Sequence, residues 1–337
     1  MHVIRDPVGS APVRILLAGS VATDEFMTFS GRFAEQILPD QLSRISLSFL
    51  TDELMMRRGG TGANISFGLG SLGVTAELVA SVGADFDTGY RQWLEDHNVN
   101  TKAVRISETR HSARFVATID KDMCQIGSFY AGAMLEAREI DMPALLPGAD
   151  MLVISPDDVP AMIQNTQAAR DDGVPLMADT SFQLVHLDDA DAIKALVDGA
   201  TYLVLNDYEK ALLEQKSGWT DAEVLERVGT RITTLGPKGV IAEAKGSAAV
   251  EVAAMPEVRK ADPTGAGDAF RGGFLAGLSW GVGLERCLQL GAALGTLALE
   301  VMGPQEWTVD GLGQRFGDAY GADALAEIAP FLPAAAK

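Results

Sequence analysis

The sequence predicts an α/β fold in which a mostly parallel sheet carries a small antiparallel sheet as a lid. Short apolar runs of strand length alternate with helical patterns over most of the chain, which is typical of a parallel sheet covered by helices. Two stretches, residues 26–58 and 113–129, contain segments that alternate in period two, which is typical of strands with one exposed face. We therefore expect one core and one separate small sheet.

The core strands and their connections follow in order along the chain. Apolar runs predict buried strands at residues 13–17, 78–80, 151–154, 176–178 and 202–205. Helix candidates at residues 161–170, 190–197 and 207–215 are long enough to connect parallel strands. Residues 46–49 (Ser-Leu-Ser-Phe) and 114–118 (Arg-Phe-Val-Ala-Thr) alternate and are predicted to be antiparallel lid strands.

These elements divide the chain into a core, a lid and two ends. We expect the core to comprise residues 13–25, 59–108 and 131–332, and the lid to comprise residues 26–58 and 109–130. The polar start, residues 1–12, and the Ala-rich end, residues 333–337, are expected to be flexible.

The composition points to a small ligand. The formal net charge is −19, which repels nucleic-acid backbones and anionic membrane surfaces, so neither is expected as a partner. The 47% of hydrophobic residues supply a large core, yet no stretch approaches the roughly 20 apolar residues of a membrane span. Any phosphate must be bound by local N–H groups, a few cations and a metal.

The cysteines and histidines indicate neither a disulfide framework nor a metal centre. Cys124 and Cys287 are far apart and lack CxxC spacing, which fits a reducing cytoplasm. The four histidines lack the spacing of zinc ligands; they are His2, His97, His111 and His186.

The most specific segment is residues 262–274, Asp-Pro-Thr-Gly-Ala-Gly-Asp-Ala-Phe-Arg-Gly-Gly-Phe. Gly265 and Gly267 permit a tight turn, and a helix opening at about Gly267 would direct several N–H groups at one anion. Asp268 lies in the first turn, where its carboxylate could accept the proton of an attacking hydroxyl. The structural alternative is a Gly-rich turn followed by an Asp that the helix dipole favours.

Three further segments could bind a ligand. Residues 59–64, Gly-Gly-Thr-Gly-Ala-Asn, would let a sugar approach the backbone, with Asn64 able to donate to and accept from hydroxyls; a hinge between strand and helix is compatible with this. Residues 206–209, Asn-Asp-Tyr-Glu, are the second segment; the structural alternative is that Asn206 and Asp207 form an ordinary helix N-cap. Residues 234–239 could be a plain β-turn. The last two segments follow predicted strands at residues 202–205 and 231–233, and open α/β sheets bind ligands at such strand ends.

Residues 262–274 and 59–73 resemble the two signatures of the ribokinase-like (PfkB) kinases. The resemblance implies a three-layer α/β/α core, ATP as phosphoryl donor, an anion hole formed by Gly265, Ala266 and Gly267, and Asp268 as catalytic base. It implies that Glu209 acts on Mg²⁺ through water. The nucleotide would be bound by Asn206, Thr234, Gly236, Lys238 and Gly239.

Several N-terminal segments are similar to the adenosine kinases of actinobacterial type within that family: residues 18–24, 31–36, 46–50, 113–115 and 128–130. The likeness runs from about Val13 to about Leu332. It implies a ribose site and a purine held between Phe115 and Phe129, although both rings could instead form a lid core. The implied substrate contacts are Ser20, Asp24, Ser48, Gly60, Asn64, Phe115, Phe129 and Gln183.

One departure keeps the acceptor open. Phe182 stands where those relatives carry the first of two glutamines, while Gln183 is retained. Adenosine is the expected acceptor, with another nucleoside or a ribose-like sugar as the alternative, and a catalytically silent nucleoside sensor as the alternative of a different class. Relatives also suggest a homodimer through the lid and a monovalent cation such as K⁺.

Overall fold

The computed structural model describes residues 13–37, 46–181 and 183–333. The expectations for residues 1–12, for residues 334–337 and for Phe182 lie outside the described residues. Within the described part, the strands in chain order are β1 (Ile15–Ala18), β2 (Ala22–Phe29), β3 (Glu53–Gly59), β4 (Ala76–Val82), β5 (Val99–Asn100), β6 (Val104–Ile106), β7 (Ala113–Asp120), β8 (Gln125–Tyr130), β9 (Met151–Ile154), β10 (Leu176–Ala178), β11 (Tyr202–Asn206), β12 (Thr230–Thr234), β13 (Val240–Glu243) and β14 (Val250–Val252).

The helices cover both faces of the large sheet. In chain order they are α1 (Phe33–Gln36), α2 (Thr61–Ser71), α3 (Tyr90–Asp96), α4 (Met142–Leu145), α5 (Val159–Asp171), α6 (Gln183–His186), α7 (Ala190–Val197), α8 (Asp207–Ser217), α9 (Asp221–Arg227), α10 (Ala266–Ser279), α11 (Leu284–Leu299), α12 (Leu312–Tyr320) and α13 (Ala322–Ile328). Short 3-10 helices span Ala84–Thr88, Gly132–Glu139, Gly236–Lys238 and Ala329–Phe331.

The large sheet has the order β14-β13-β12-β11-β10-β9-β1-β4-β5, with β6 also paired to β4. Its strands run parallel from β12 to β5, and β13 and β14 add an antiparallel edge. The five predicted core strands lie in β1, β4, β9, β10 and β11, and the three predicted helices lie in α5, α7 and α8, so these predictions are confirmed.

The core consists of three layers because successive strand residues point to opposite faces. Ile15 and Leu17 belong to the apolar cluster that packs under α2, α10 and α11. Leu16 and Ala18 belong to the cluster that packs under α5, α7 and α8. The burial of both faces explains why the core strands are continuous apolar runs rather than alternating ones.

The small sheet has the order β3-β2-β7-β8. The outer pairs are antiparallel, whereas β2 and β7 pair in parallel. The strand predicted at residues 114–118 is confirmed by β7. The boundaries between core and lid at residues 25/26, 58/59, 108/109 and 130/131 stay a prediction. In the structure, lid strand β2 begins at Ala22 and lid strand β3 ends at Gly59.

The prediction of a strand at residues 46–49 is wrong. This segment has no regular secondary structure, and the lid strand forms later, at Glu53–Gly59. The Phe49 ring turns back onto the rings of Phe29 and Phe33, with centroids 4.9 and 5.0 Å away. Phe49 is thus held by ring contacts with the end of β2 and with α1, and not by strand pairing.

Candidate active site

The carboxyl ends of the core strands bring the predicted site residues to one edge of the sheet. Ser20 follows β1, Asn206 ends β11 and Thr234 ends β12; Asp179, which the sequence did not single out, follows β10 at the same edge. Parallel strands present these ends at the same edge, where a ligand finds loop N–H groups and helix N-termini. The segments that the sequence placed after strands therefore share one location in the fold.

Helix α10 begins at the predicted anion hole. Gly265 caps it with φ +79°, a left-handed conformation that favours glycine. A Cβ at this position would lie 2.4 Å from Pro304 Cβ, so any larger residue would displace the loop. The first N–H groups of a helix lack partners within it, and those of Gly267 and Asp268 therefore offer a place for an anion.

Asp268 is partly buried and hydrogen-bonded to the other Gly-rich segment. Asn64 Nδ2 donates to Asp268 Oδ2 at 2.8 Å. Burial raises the pKa of Asp268, opposed by the charge of Arg271 and by the Asn64 hydrogen bond, while the charge of Glu209 raises it further. The two signatures of the sequence, 204 residues apart at these positions, thus meet at the candidate base.

A buried cation lies behind the anion hole. Arg271 Nη1 donates to Gly267 O at 2.9 Å, and Nη2 pairs with Asp179 Oδ1 at 2.6 Å. Burial raises the pKa of Asp179 to about 7, although Arg271 opposes this. Sequence reasoning missed Arg271 because its place within the helix gave no sign that it pointed under the turn.

Asn206 and Glu209 form a capping box at the start of α8. Asn206 Oδ1 accepts from Glu209 N at 2.7 Å, and Glu209 Oε2 accepts from Asn206 N at 2.8 Å. The helix N-cap, which was the structural alternative to a ligand site, is therefore present. It leaves Glu209 Oε1 outside the capping box, and Glu209 interacts electrostatically with Asp268 and Asp179.

A cavity of about 400 Å³ adjoins the anion hole. Its lining includes five predicted residues, Thr234, Gly236, Gly239, Ala266 and Gly267. Its size suits a small organic ligand. Sequence reasoning missed its mostly apolar walls, among them Val240, Met255, Phe270, Ala292, Gly295 and Leu299; the small residues Ala292 and Gly295 on α11 were the available signal.

The lid sheet places four side chains in one row. Arg57, Asp24, Phe115 and Phe129 are opposite one another across β3, β2, β7 and β8, and directly opposed residues point to the same face. Arg57 Nη1 pairs with Asp262 Oδ2 of the anion-hole loop at 3.1 Å, so the Arg57 end of the row contacts the core, whereas Phe129 at the other end is 52% exposed.

The ribose-site candidates lie where this row meets helix α2. A Cβ on Gly59 would lie 2.9 Å from Asp24 Oδ2, and one on Gly60, with φ +94°, would lie 2.6 Å from Ser20 O. Ser20 Oγ accepts from Thr61 N at 3.1 Å. Burial raises the pKa of Asp24 to about 6, partly offset by Arg57.

Three predicted contacts lie apart from this arrangement. Ser48 is exposed in the irregular segment, and Lys238 is exposed and outside the cavity lining. Gln183 is buried and donates from Nε2 to Asp157 O at 2.8 Å. The roles assigned to the site residues stay predictions.

Sequence reasoning also missed a buried polar chain behind Asn64. Gln305 Nε2 donates to Asn64 Oδ1 at 2.8 Å and to Tyr90 Oη at 2.7 Å. Trp93 Nε1 donates to Gln305 Oε1 at 3.1 Å. No local motif marks these residues, and the sequence around Gln305 gives no sign that its side chain is buried.

The donor set fits a metal held mainly by substrate. Within residues 13–37, 46–181 and 183–333, no three His, Cys, Asp or Glu side chains cluster to hold a metal ion. Mg²⁺ keeps several waters and is usually bound by one or two carboxylates together with substrate phosphates. Glu209 at the sheet edge fits such a role through water. No helix of the described residues could span a membrane.

The chain is similar to known kinases along most of its length. The pfkB family carbohydrate kinase model matches residues 23–310. The nucleoside kinase of Methanocaldococcus jannaschii is 30% identical over 251 residues, 73% of this chain and 80% of that protein. The structure of Burkholderia thailandensis nucleoside kinase in complex with inosine has a TM-score of 0.79 at 32% identity, covering 91% of this chain and 98% of that chain. The adenosine kinase of Saccharomyces cerevisiae is 28% identical over 170 residues, 47% of this chain and 49% of that protein.

A parallel α/β core with an anion hole at a helix N-terminus, an adjacent Asp and a small covering sheet defines a class of small-molecule kinase. The chain belongs to the pfkB carbohydrate kinase family, and its ribokinase-like fold confirms the expected fold class. It is a phosphotransferase that acts on a hydroxyl group of a nucleoside or a sugar.

Proposed function

We propose that this chain is an ATP-dependent nucleoside kinase that transfers the γ-phosphate of ATP to the 5′-hydroxyl of adenosine. The row of Asp24, Phe115 and Phe129 on one face of the lid carries this proposal. A carboxylate suits the vicinal diol of a ribose, and two aromatic rings suit a planar base. The nucleoside kinase names of the relatives support the same acceptor class.

The phosphoryl transfer would occur between the two glycine-rich segments. Asp268 takes the proton of the acceptor hydroxyl, while the N–H groups at the start of α10 bind the transferring group. The ATP base and ribose would occupy the cavity of about 400 Å³ beside them. Glu209 would orient waters on Mg²⁺, which supplies charge neutralisation of the phosphates when bound.

An ADP-release assay with a panel of acceptors tests this function. We expect the wild-type protein to consume ATP fastest with adenosine, compared by kcat/KM with guanosine, inosine, cytidine and ribose. Asp268→Asn should lower kcat by about 100-fold or more, because a general base typically contributes a factor of that size. The affinity for the nucleoside should stay largely intact. Wild-type-like turnover in that variant would contradict the role of Asp268.

The acceptor panel also separates the alternatives. Preference for inosine or another nucleoside would keep the proposed mechanism and change the acceptor. Two observations are compatible with that outcome: Phe182 replaces a glutamine of the similar adenosine kinases, and the Burkholderia thailandensis kinase has been solved in complex with inosine. Preference for ribose would make the chain a sugar kinase. Nucleoside binding without any ATP consumption would favour the silent sensor.

We also propose a homodimer through the outer face of the lid. Leu54, Met56 and Ile126 are 59%, 62% and 45% exposed, and the strand register places them on the face opposite Phe115. A cluster of exposed apolar side chains favours an interface. Light scattering should give twice the monomer mass for the wild type and the monomer mass for Met56→Glu; a monomeric wild type would overturn the proposal.

Two further expectations belong to the same function. A cytoplasmic location would be tested by fractionation of the source cells. Activation by a monovalent cation such as K⁺ would be tested by comparing turnover in potassium and choline salts at equal ionic strength, where equal rates would reject it.

A further inference from the structure

A chain of hydrogen bonds leads from Trp93 on helix α3 to Asp268, the candidate base. Trp93 Nε1 donates to Gln305 Oε1 at 3.1 Å, and Gln305 Nε2 donates to Asn64 Oδ1 at 2.8 Å. Asn64 Nδ2 then donates to Asp268 Oδ2 at 2.8 Å. Gln305 is 1% exposed and Asn64 is 6% exposed, so water competes little for these bonds.

Tyr90 completes the bonding of Gln305. The second proton of the Gln305 amide goes to Tyr90 Oη at 2.7 Å, and Tyr90 Oη donates to Gly59 O at 2.7 Å. Both amide protons and the amide oxygen of Gln305 therefore have partners. The Gly59 carbonyl belongs to the end of lid strand β3, so the same glutamine also contacts the lid through Tyr90.

The chemistry at the two ends fixes the direction of every bond between them. An indole N–H can only donate, and an ionised carboxylate can only accept. With Trp93 donating, the Gln305 amide must turn its nitrogen to Asn64, and Asn64 must then turn its nitrogen to Asp268. A rotated amide at either position would set two NH₂ groups or two oxygens against each other, which a buried site tolerates poorly.

The loop that carries Gln305 is held by the anion-hole loop. Gly303 N donates to Asp262 Oδ2 at 3.1 Å, and Pro304 packs against Gly265. The segment 303–305 thus contacts the start of α10 on one side and Asn64 on the other. The base and the anion hole are positioned relative to each other through this segment.

We propose that Gln305 is a positioning residue for phosphoryl transfer, which fixes the Asn64 amide so that it holds one oxygen of Asp268 and leaves the other for the acceptor hydroxyl. Asp268 Oδ1 accepts no hydrogen bond from the residues that the structure describes. The inference rests on the proposed function, in which Asp268 is the base. Gln305 acts through Asn64 and contacts no reacting atom.

The substitution Gln305→Met tests this role because it keeps the side-chain length and removes every donor and acceptor. We expect kcat to fall between about tenfold and about 100-fold, as for other small misplacements of catalytic groups. KM for ATP should stay within twofold, since Gln305 does not line the nucleotide cavity. Gln289→Met is the matched control: Gln289 is 5% exposed on α11 and bonds Glu285 and Arg286 instead.

A double-mutant cycle with Asn64→Ala distinguishes positioning from general destabilisation. If Gln305 acts through Asn64, Gln305→Met should reduce kcat by less than twofold in the Asn64→Ala background. Full additivity, an unchanged kcat in the single variant, or an equal loss in Gln289→Met would overturn the inference. Should Gln305→Met fail to fold, Trp93→Phe removes the indole donor together with part of the ring that contacts Arg58 and Phe67, and it should lower kcat severalfold with KM for ATP unchanged.

The two proposals fail differently. A wild-type protein that consumes no ATP with any acceptor contradicts the proposed function. A wild type that phosphorylates a nucleoside, together with a Gln305→Met variant of normal kcat, contradicts only the positioning role.

Discussion

At the scale of single residues, burial raises the pKa of the two carboxyls that have proposed roles in proton transfer and nucleoside binding, Asp268 and Asp24. Asp268 is held by Asn64 and faces Arg271 and Glu209. Asp24 has its pKa raised by burial to about 6, with Arg57 lowering it in part. Each must be ionised for its proposed task, one to accept a proton and the other to accept hydroxyl hydrogen bonds. The site should therefore lose function in mildly acidic solution.

Nucleoside binding should weaken as the pH falls through about 6. Asp24 loses its negative charge there, and a protonated carboxyl is a poorer acceptor for ribose hydroxyls. Calorimetric titration with the nucleoside at pH 5 and pH 7.5 should give a severalfold larger Kd at the lower pH.

Asp24→Asn provides the control for that measurement, because an amide does not titrate. Its Kd should be weak and should change little between the two pH values. A wild-type Kd that is independent of pH would show that Asp24 does not bind the nucleoside in its ionised form.

At the scale of elements, the lid strand β3 and the anion-hole loop are joined by the pair Arg57–Asp262. The atoms Nη1 and Oδ2 lie 3.1 Å apart, and the side chains are 14% and 11% exposed. Asp262 also accepts from Thr264 N at 2.9 Å, so the carboxylate that shapes the loop is also the one that the lid contacts. The position of strand β3 and the geometry of the anion-hole loop are thereby linked.

Removing this pair should affect both binding and catalysis. Arg57→Gln leaves the mostly buried Asp262 without its cation. Loss of one partner from a completely buried ion pair costs about 3 kcal/mol or more. The cost is smaller here because both side chains are partly exposed. We expect a severalfold higher acceptor KM together with a lower kcat in steady-state assays.

Arg32→Gln is the matched control, because Arg32 pairs with Asp122 at 2.8 Å on the exposed part of the lid. Exposed pairs contribute little, so its kinetics should resemble the wild type. Equal kinetics for Arg57→Gln and the wild type would reject the link between lid and loop.

At the scale of the whole molecule, the net charge of −19 opposes both folding and the binding of anionic nucleotides. The buried cations are placed where they offset this locally. Arg271 lies under the anion hole, and Arg231 is fully buried between Asp221 and Glu243. Most of the excess negative charge remains on the surface, where salt can screen it.

Thermal stability should therefore rise with ionic strength. Raising NaCl from about 10 mM to about 150 mM shortens the Debye length from about 30 Å to about 8 Å, which weakens repulsion among surface carboxylates. We expect Tm, followed by circular dichroism, to increase by a few degrees.

KCl at the same concentrations separates screening from specific binding. An equal rise in both salts indicates screening, and a larger rise in KCl indicates a potassium site. A fall of Tm with NaCl would mean that attractive surface pairs outweigh the repulsion of the net charge.

The sequence alone determined the features that depend on neighbouring residues. Apolar runs identified β1, β4, β9, β10 and β11, because burial on both faces leaves a continuous apolar pattern. Gly265 and Gly267 identified the start of α10, because a left-handed turn before a helix favours glycine. The family was likewise identified from two local signatures, and the match of the pfkB family model to residues 23–310 supports that identification.

The tertiary structure decided the features that depend on distant residues. Period-two alternation predicted a strand at residues 46–49, but this segment has no regular secondary structure and Phe49 packs on Phe29 and Phe33 instead. The strand register placed Asp24, Phe115 and Phe129 in one row. Gln305 lies 241 residues from Asn64 in the chain, and no local pattern connects them. Local patterns record how each residue is buried, whereas the pairing of two buried polar groups depends on how the whole chain folds around them.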